Sequence, residues 1–143
     1  MSEDMHRSMT LTRTALGKFE VTNERGGTLV TGKGDDSDFL PGELLLAAIA
    51  ACTGVDVDIL ASRRADPDSF KVRVDAEKMK DEHGNHLANI ELTFDIQFPE
   101  GEKGDAAREV LPSTVKRSRE RLCTVGRTVE IGTPIADKFG PVG

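Results

Sequence analysis

Hydrophobic and polar residues alternate most regularly in the middle of the chain. In residues 70–77 the even positions are apolar and the odd positions are charged, and residues 88–98 repeat the alternation. A period of two is the spacing of side chains on one face of a β-strand, so each segment predicts a strand with one buried face. The polar tract 80–86 contains Gly84-Asn85 and predicts the turn of an antiparallel hairpin. Lys78-Met79 breaks the alternation, which predicts an end or a bulge there.

The N-terminal part of the chain predicts a second, smaller sheet. Short runs rich in Thr and Val occupy residues 9–34 and are separated by turns that contain Asn and Gly. Such runs are typical of an antiparallel meander. Residues 1–8 are polar and are expected to be disordered, and residues 33–39 form a polar loop that leads into the next element.

A long helix is predicted over residues 41–64. Pro41 suits the first helical position, and Glu43 lies in the first turn, where the helix dipole favours a carboxylate. Residues 44–51 are apolar on every side of the helix, and such a helix must be covered all round. They make up about half of the roughly 20 residues that cross a bilayer, so we expect a central helix buried in protein. Its small residues would let a twin helix pack closely: Ala47, Ala48, Ala50, Ala51 and Gly54.

The C-terminal third of the chain predicts helix followed by strand. Apolar residues recur at roughly helical spacing over residues 105–122, and Pro112 is expected to kink or divide this helix. Its second half, KRSRERLC, is basic. Residues 127–131 then predict a final strand, followed by a tail punctuated by Gly and Pro.

Composition narrows the class of protein. The 143 residues show no break in composition, which predicts a single domain over 1–143. The net charge of −6 and the pI near 5.1 argue against a nucleic-acid or anionic-membrane partner. The N-terminus resembles neither a signal peptide nor an anchor, so we expect a cytoplasmic protein. Only 37% of the residues are apolar, so one chain has few apolar side chains with which to cover the long helix. This favours a homodimer, in which a second chain helps to cover it.

Two cysteines are the candidate reactive residues. Cys52 lies where the apolar part of the long helix gives way to polar residues, and Cys123 follows the basic run. Their spacing fits neither a CxxC redox motif nor a zinc site, and the three histidines are too scattered to complete a metal site. An apolar environment raises the pKa of a thiol, and Asp56, one turn after Cys52, opposes its ionisation further. Taken alone, the pattern favours a structural Cys52 unless an arginine from elsewhere approaches it.

For Cys123 the sequence does not decide whether the neutral thiol or the thiolate is favoured. Arg119, Arg121 and Arg127 favour a thiolate, whereas a position at the end of a helix faces the negative pole of its dipole. A basic run of this kind is also common on solvated helix faces.

The two cysteine segments together resemble one known family. PGELLLAAIAACTGVDV, followed by RLCTVGRTVEIGTPI, is similar to the OsmC/Ohr family (osmotically inducible protein C / organic hydroperoxide resistance), and the element order agrees over nearly the whole chain. In that family one cysteine lies on a central helix and the second precedes a final strand. The resemblance implies an α+β, OsmC-like fold, with antiparallel sheets packed on the long helix in an intertwined homodimer.

The resemblance also implies a thiol peroxidase that reduces organic hydroperoxides without a metal or an organic cofactor. Cys52 would be the peroxidatic nucleophile and Cys123 the resolving thiol, and an external dithiol would reduce the disulfide between them. An arginine of the N-terminal strands is implied to stabilise the thiolate. Arg13 and Arg25 are both candidates, and Arg25 is preferred because its Asn-Glu-Arg-Gly-Gly turn can approach the helix. Glu43 is implied as a further site residue.

The start of the helix departs from the pattern of well-characterised members. They carry a glutamate directly after the proline, where this chain has Gly42, and Glu43 comes one residue later. The nine residues from Glu43 to Cys52 place the two on opposite sides of a helix and ~13.5 Å apart along it. Without a bend, Glu43 therefore cannot serve the Cys52 of its own helix, whereas a dimer would bring a second Cys52 within its reach. The alternative function is a non-enzymatic dimer of this fold that binds a small molecule or senses oxidants.

Overall fold

The computed structural model describes residues 5–143, and residues 1–4 of the segment expected to be disordered lie outside this range. Two compact units are present, one up to Leu46 and one from Ala47 to Gly143. The prediction of one domain over 1–143 stays a prediction. In chain order the elements are β1 Met9–Ala15, β2 Lys18–Asn23, β3 Thr28–Thr31, α1 Pro41–Ala61, β4 Ser69–Asp81, β5 Gly84–Gln97, α2 Glu102–Arg117, a π-helical segment Ser118–Leu122 and α3 Thr124–Glu130.

The N-terminal unit contains the predicted antiparallel meander. Its strands lie in the order β1-β2-β3. Between β2 and β3 the side chain of Asn23 accepts hydrogen bonds from the backbone N–H of Arg25 and of Gly27, at 3.1 and 2.8 Å. Gly26 has a φ of 90°, which a residue with a Cβ adopts only at a cost in energy. Asparagine and glycine thus define the turn that carries Arg25.

Helix α1 begins as its sequence predicts and ends three residues earlier, at Ala61. Glu43 accepts a hydrogen bond from the backbone N–H of Leu40 at 2.8 Å, so its carboxylate caps the helix start. By length and composition α1 could cross a membrane, a criterion that core helices of soluble proteins also meet. One face is buried and the opposite face is exposed within the single chain. The buried face comprises Ile49, Ala50, Thr53, Val57 and Ala61.

Strands β4 and β5 form the predicted antiparallel hairpin. Val72 pairs with Phe94 and Val74 with Leu92, so the apolar positions of both strands share one face. A register shift between Asp75 and Glu77 marks a bulge, two residues before the break predicted at Lys78-Met79, and β4 continues beyond it.

Helix α1 packs on the apolar face of this hairpin. A Cβ built on Gly54 would lie 3.9 Å from Val72, so the helix backbone is close to the sheet there. The end of α1, the end of β5 and α2 share a core of Ala61, Phe98 and Ala107.

The C-terminal part of the chain contains the predicted helix and differs from its prediction after it. Helix α2 runs through Pro112 without division, and a kink there stays a prediction. The predicted final strand at residues 127–131 is wrong, because residues 124–130 form helix α3. Cys123 is the N-cap of α3, and its sulfur accepts a hydrogen bond from the backbone N–H of Gly126 at 3.2 Å. This local cap outweighs the strand preference of the Thr-Val pairs, which depends on context.

Candidate active site

The two cysteines meet in the C-terminal unit. Cys52 lies on α1 and is half-buried, whereas Cys123 lies between the π-helical segment and α3 and is fully buried. Both are free thiols, and they are neighbours close enough that each shifts the pKa of the other. The fold therefore brings together two thiols that are separated by 70 residues of sequence.

Several hydrogen-bond donors point at the sulfur of Cys123. Besides the N–H of Gly126, the hydroxyl of Thr53 lies 3.5 Å from Cys123 Sγ, and Thr53 is itself fully buried. The neighbouring thiol of Cys52 also lowers the pKa of Cys123. Sulfur is a weak acceptor as a thiol and a stronger one as a thiolate, so this arrangement favours negative charge on Cys123.

The direction of the Thr53 hydroxyl is set by an arginine. Arg119 Nη2 donates a hydrogen bond to Thr53 Oγ1 at 3.1 Å. A guanidinium has no acceptor, so the oxygen of Thr53 must accept from it, and the single hydroxyl proton is left for Cys123. Arg119 is only partly exposed, and its Nε lies 3.9 Å from Glu130 Oε1 on α3. The chain thus supplies an ordered relay from Arg119 through Thr53 to Cys123.

A second hydrogen bond ties α1 to the π-helical segment beside this relay. The buried Ser118 donates its hydroxyl proton to Asp56 Oδ2 at 2.7 Å. Asp56 follows Cys52 by one helical turn, so its carboxylate remains near the sulfur. Ser118 and Arg119 are neighbours and bind residues one turn apart on α1, which fixes the two segments side by side.

The pKa values of the two thiols shift in opposite directions. Burial raises the pKa of Cys52, as do Cys123 and the charge of Asp56, against a hydrogen bond from the backbone of Val125 that lowers it. Burial also opposes ionisation of Cys123, but the hydrogen bonds from Thr53, Gly126 and Cys52 and the charge of Arg119 together lower its pKa. The expected increase at Cys52 is confirmed, including the contribution of Asp56. At Cys123, where the sequence left the balance open, the net effect lowers the pKa.

The other predicted site residues lie in the N-terminal unit. Arg25 is in the turn between β2 and β3, Arg13 is on β1, and Glu43 caps the start of α1. Their assigned roles at the sulfurs stay predictions. Among the described residues, no group of three or more His, Cys, Asp or Glu side chains is arranged to hold a metal ion.

An apolar cavity of about 460 Å³ adjoins the sulfur site, since Arg119 and Gly126 belong to both. Its polar edge includes Glu91 and Glu130. The apolar wall is built from one face of β5 and from facing helices: Ile49, Ile90, Leu92, Phe94, Val115 and Val129. The cavity suits a molecule with an apolar body. Such a molecule would lie next to Arg119, the charged residue that orients the hydroxyl of Thr53 towards Cys123.

Sequence reasoning missed two members of this site. The sequence pattern did not single out Thr53, and its position directly after Cys52 is the signal that was available. Gly126 was not singled out either, yet a side chain there would collide with Arg119. Arg119 was recognised as a charge near Cys123, but its hydrogen bond to Thr53 depends on the fold.

Comparison with known proteins agrees with this architecture. Residues 34–136 match the family model described as OsmC-like protein. An uncharacterized protein of Mycobacterium tuberculosis is 34% identical over 134 residues, which cover 92% of this chain and 94% of that protein. The chain therefore belongs to the OsmC-like protein family, and the resemblance noted in the sequence is confirmed.

Solved structures show the same fold. An OsmC-like protein of unknown function from Vibrio cholerae superposes with a TM-score of 0.74 at 14% identity, over 87% of this chain and 94% of that one. A Legionella pneumophila protein described as an organic hydroperoxide resistance protein OsmC has a TM-score of 0.57 at 13% identity, over 87% and 88% of the two chains. The predicted α+β, OsmC-like fold is confirmed.

Proposed function

We propose that the protein is a thiol peroxidase that reduces organic hydroperoxides. The observation that carries this proposal is the contact between the thiols of Cys52 and Cys123 in a member of the OsmC-like family. The Cys52 thiolate attacks the O–O bond, releases the alcohol and becomes a sulfenic acid. Cys123 attacks that sulfenic sulfur, water leaves and a disulfide forms. An external dithiol then reduces the disulfide.

Cys52 is assigned as the peroxidatic residue because it is the more exposed sulfur. Its pKa is raised by burial and by its neighbours in the C-terminal unit, so its thiolate requires a cation in addition to these groups. We assign that role to Arg25, with Arg13 as the alternative, and place Glu43 at the cysteine of a second copy. Separate Arg25→Ala and Arg13→Ala variants distinguish the arginines, since losing the supporting one costs about tenfold in thiolate for each unit by which the pKa rises.

The cavity beside Cys123 supports an organic rather than an inorganic peroxide. Its wall is aliphatic and aromatic over most of its extent, with Arg119 at the edge towards the sulfurs. Burying the carbon skeleton of a substrate there would contribute about 0.8 kcal/mol per methylene group. Hydrogen peroxide has no such group and gains nothing from the wall.

The exposed face of α1 supports a homodimer. An apolar groove of about 530 Å³ runs between α1 and β4, with Ala51, Gly54 and Val55 on one side and Phe70 and Val72 on the other. Small residues along α1 leave room for a second helix, and a twin α1 would cover the face that one chain leaves open. We place this homodimer in the cytoplasm, where dithiol reductants are available.

The test is a thiol count and a non-reducing mass after one equivalent of cumene hydroperoxide, followed by a dithiol. We expect both thiols to be lost as one intramolecular disulfide, and the dithiol to restore them over repeated cycles. Cys52→Ser should abolish turnover, and Cys123→Ser should let the Cys52 sulfenic acid accumulate and oxidise further. Undiminished peroxidase rates in Cys52→Ser would overturn the assignment of the nucleophile.

A non-enzymatic dimer is the rival that the same experiment addresses. Oxidation that stops after one stoichiometric event, with no continued consumption of dithiol, would indicate a redox sensor. Two thiols that stay reduced in the presence of the hydroperoxide would indicate a binding protein that uses the cavity alone.

A further inference from the structure

We propose that Thr53 and Arg119 make Cys123 the leaving sulfur when the Cys52–Cys123 disulfide is reduced, so that the external dithiol attacks Cys52. This inference rests on the proposed function, because it concerns the disulfide formed in that cycle. It assigns Arg119 as a positioning residue, acting through Thr53, and it predicts which cysteine carries the mixed disulfide with the reductant.

The first support is the arrangement of donors. Gly126 N–H and the Thr53 hydroxyl lie 3.2 and 3.5 Å from Cys123 Sγ. Arg119 occupies the acceptor site of the Thr53 oxygen and thereby directs its proton to the sulfur. In thiol–disulfide exchange the sulfur that best holds negative charge leaves faster. These donors are already in place to receive that charge on Cys123.

The second support is access, which is independent of the donors. Cys123 has 0% of its surface exposed, whereas Cys52 is half-buried. An attacking thiolate must approach the back of the sulfur that it attacks, in line with the bond that breaks. Of the two cysteines only Cys52 has exposed surface, and it is the one without the Thr53 donor.

The reaction step balances as a two-electron exchange. One thiolate of the dithiol bonds to Cys52 Sγ while the Cys52–Cys123 bond breaks, and the electron pair leaves on Cys123 Sγ. The second thiolate of the dithiol then attacks its own sulfur in the mixed disulfide and releases Cys52, which takes up a proton. The dithiol ends as its disulfide, and both cysteines of the protein are reduced again.

The first experiment maps the point of attack in the unaltered protein. The disulfide is made with diamide, which needs no peroxide, and is treated briefly with glutathione, a monothiol that has no second thiol of its own to release the mixed disulfide, so that only a second molecule could do so. After acid quench and alkylation of free thiols, peptide mass mapping should find glutathione on Cys52. Glutathione on Cys123 would overturn the proposal.

The second experiment tests the relay with matched variants. Thr53→Val keeps the shape and removes the hydroxyl, whereas Thr53→Ser keeps the hydroxyl. We expect dithiol reduction of the diamide-formed disulfide to be about three- to tenfold slower in Thr53→Val and close to the unaltered rate in Thr53→Ser. Equal rates in the two variants would exclude a role for the hydroxyl.

Arg119→Gln tests the relay without changing a residue of α1. It should slow the reduction to a similar extent, with Arg121→Gln as the control, because Arg121 is an exposed arginine of the same segment. The pH profile separates positioning from simple loosening of the structure. Loss of the relay should move the titration of Cys123 to higher pH in Arg119→Gln, and an unmoved titration with an unchanged rate would contradict the proposal.

These experiments separate a failure of the leaving-sulfur proposal from a failure of the peroxidase proposal. If diamide forms the disulfide and glutathione maps to Cys52 while hydroperoxides leave the thiols intact, the peroxidase proposal fails and the leaving-sulfur proposal stands. If diamide forms no intramolecular disulfide, both fail.

Discussion

At the scale of single residues, the site is asymmetric because one hydroxyl has only one proton to give. Thr53 accepts from Arg119 and donates to Cys123. Cys52, the residue before Thr53 on α1, has no such relay and faces the carboxylate of Asp56. Two cysteines in one site therefore have different acidities, and the difference comes from neighbours that the fold brings together.

This asymmetry predicts a low ionisation step that belongs to Cys123. The thiolate absorbance of the reduced protein should rise in one step below the ordinary thiol pKa of 9.0, from Cys123. Arg119→Gln should move this step upward and Arg121→Gln should leave it unchanged. A single step at the ordinary value in the unaltered protein would contradict the relay.

The same shift has a consequence for stability with a definite sign. The pKa of Cys123 is lower in the folded chain than in the unfolded chain, so its ionisation stabilises the folded state above the unfolded pKa. That contribution disappears as the pH falls through the folded pKa. Cys52 has the opposite sign, because its raised pKa favours the neutral thiol in the folded state and costs stability when the pH rises.

At the scale of elements, sequence pattern predicted best where a single periodicity spans many residues. The strict alternation in β4 and β5 and the apolar run of α1 fixed those elements to within a few residues. Helix α3 was predicted as a strand, because seven residues rich in Val and Thr fit a strand and the decisive cap is a cysteine sulfur. The relay could not be predicted from the sequence, because Thr53 and Arg119 are 66 positions apart and only the fold brings them together.

A proline in α1 tests the central helix. Ala48→Pro removes one backbone hydrogen bond and places the ring against the carbonyl of the preceding turn, so we expect a loss of ~3 kcal/mol or more in the free energy of unfolding. Ala48→Gly is the graded control, with an expected loss of about 1 kcal/mol. Chemical denaturation measures both, and a midpoint unchanged by the proline would refute the role of α1.

At the scale of the whole molecule, a single chain leaves an apolar face uncovered. Val55 and Ile59 are each 57% exposed on α1, in line with the exposed Ala47 and Ala51 one and two turns earlier. These residues recur every four positions and form one continuous stripe. The sequence predicted that the apolar helix must be covered all round, and the described chain alone does not do so, which is the physical basis of the proposed homodimer.

A charge on that stripe tests the dimer. Val55→Asp removes one apolar side chain of each copy from the interface. Each loss costs about 1.5 kcal/mol or more in the free energy of association, so the dissociation constant of the dimer should rise at least about a hundredfold. Met79→Asp, on a side chain that is 45% exposed at the far end of β4, is the matched control. Sedimentation or light scattering over a dilution series reports both, and a dimer equally stable in the two variants would place the interface elsewhere.

One peptide segment addresses both sulfurs. The backbone N–H of Val125 lowers the pKa of Cys52, and the next residue, Gly126, donates its own N–H to Cys123. The two reactive sulfurs therefore depend on two consecutive peptide groups of the main chain. At position 125 every residue type except proline keeps this N–H, whereas at position 126 a side chain would collide with Arg119. A substitution at position 125 can thus preserve the role of its peptide group, and a substitution at position 126 disturbs the arginine that orders the relay.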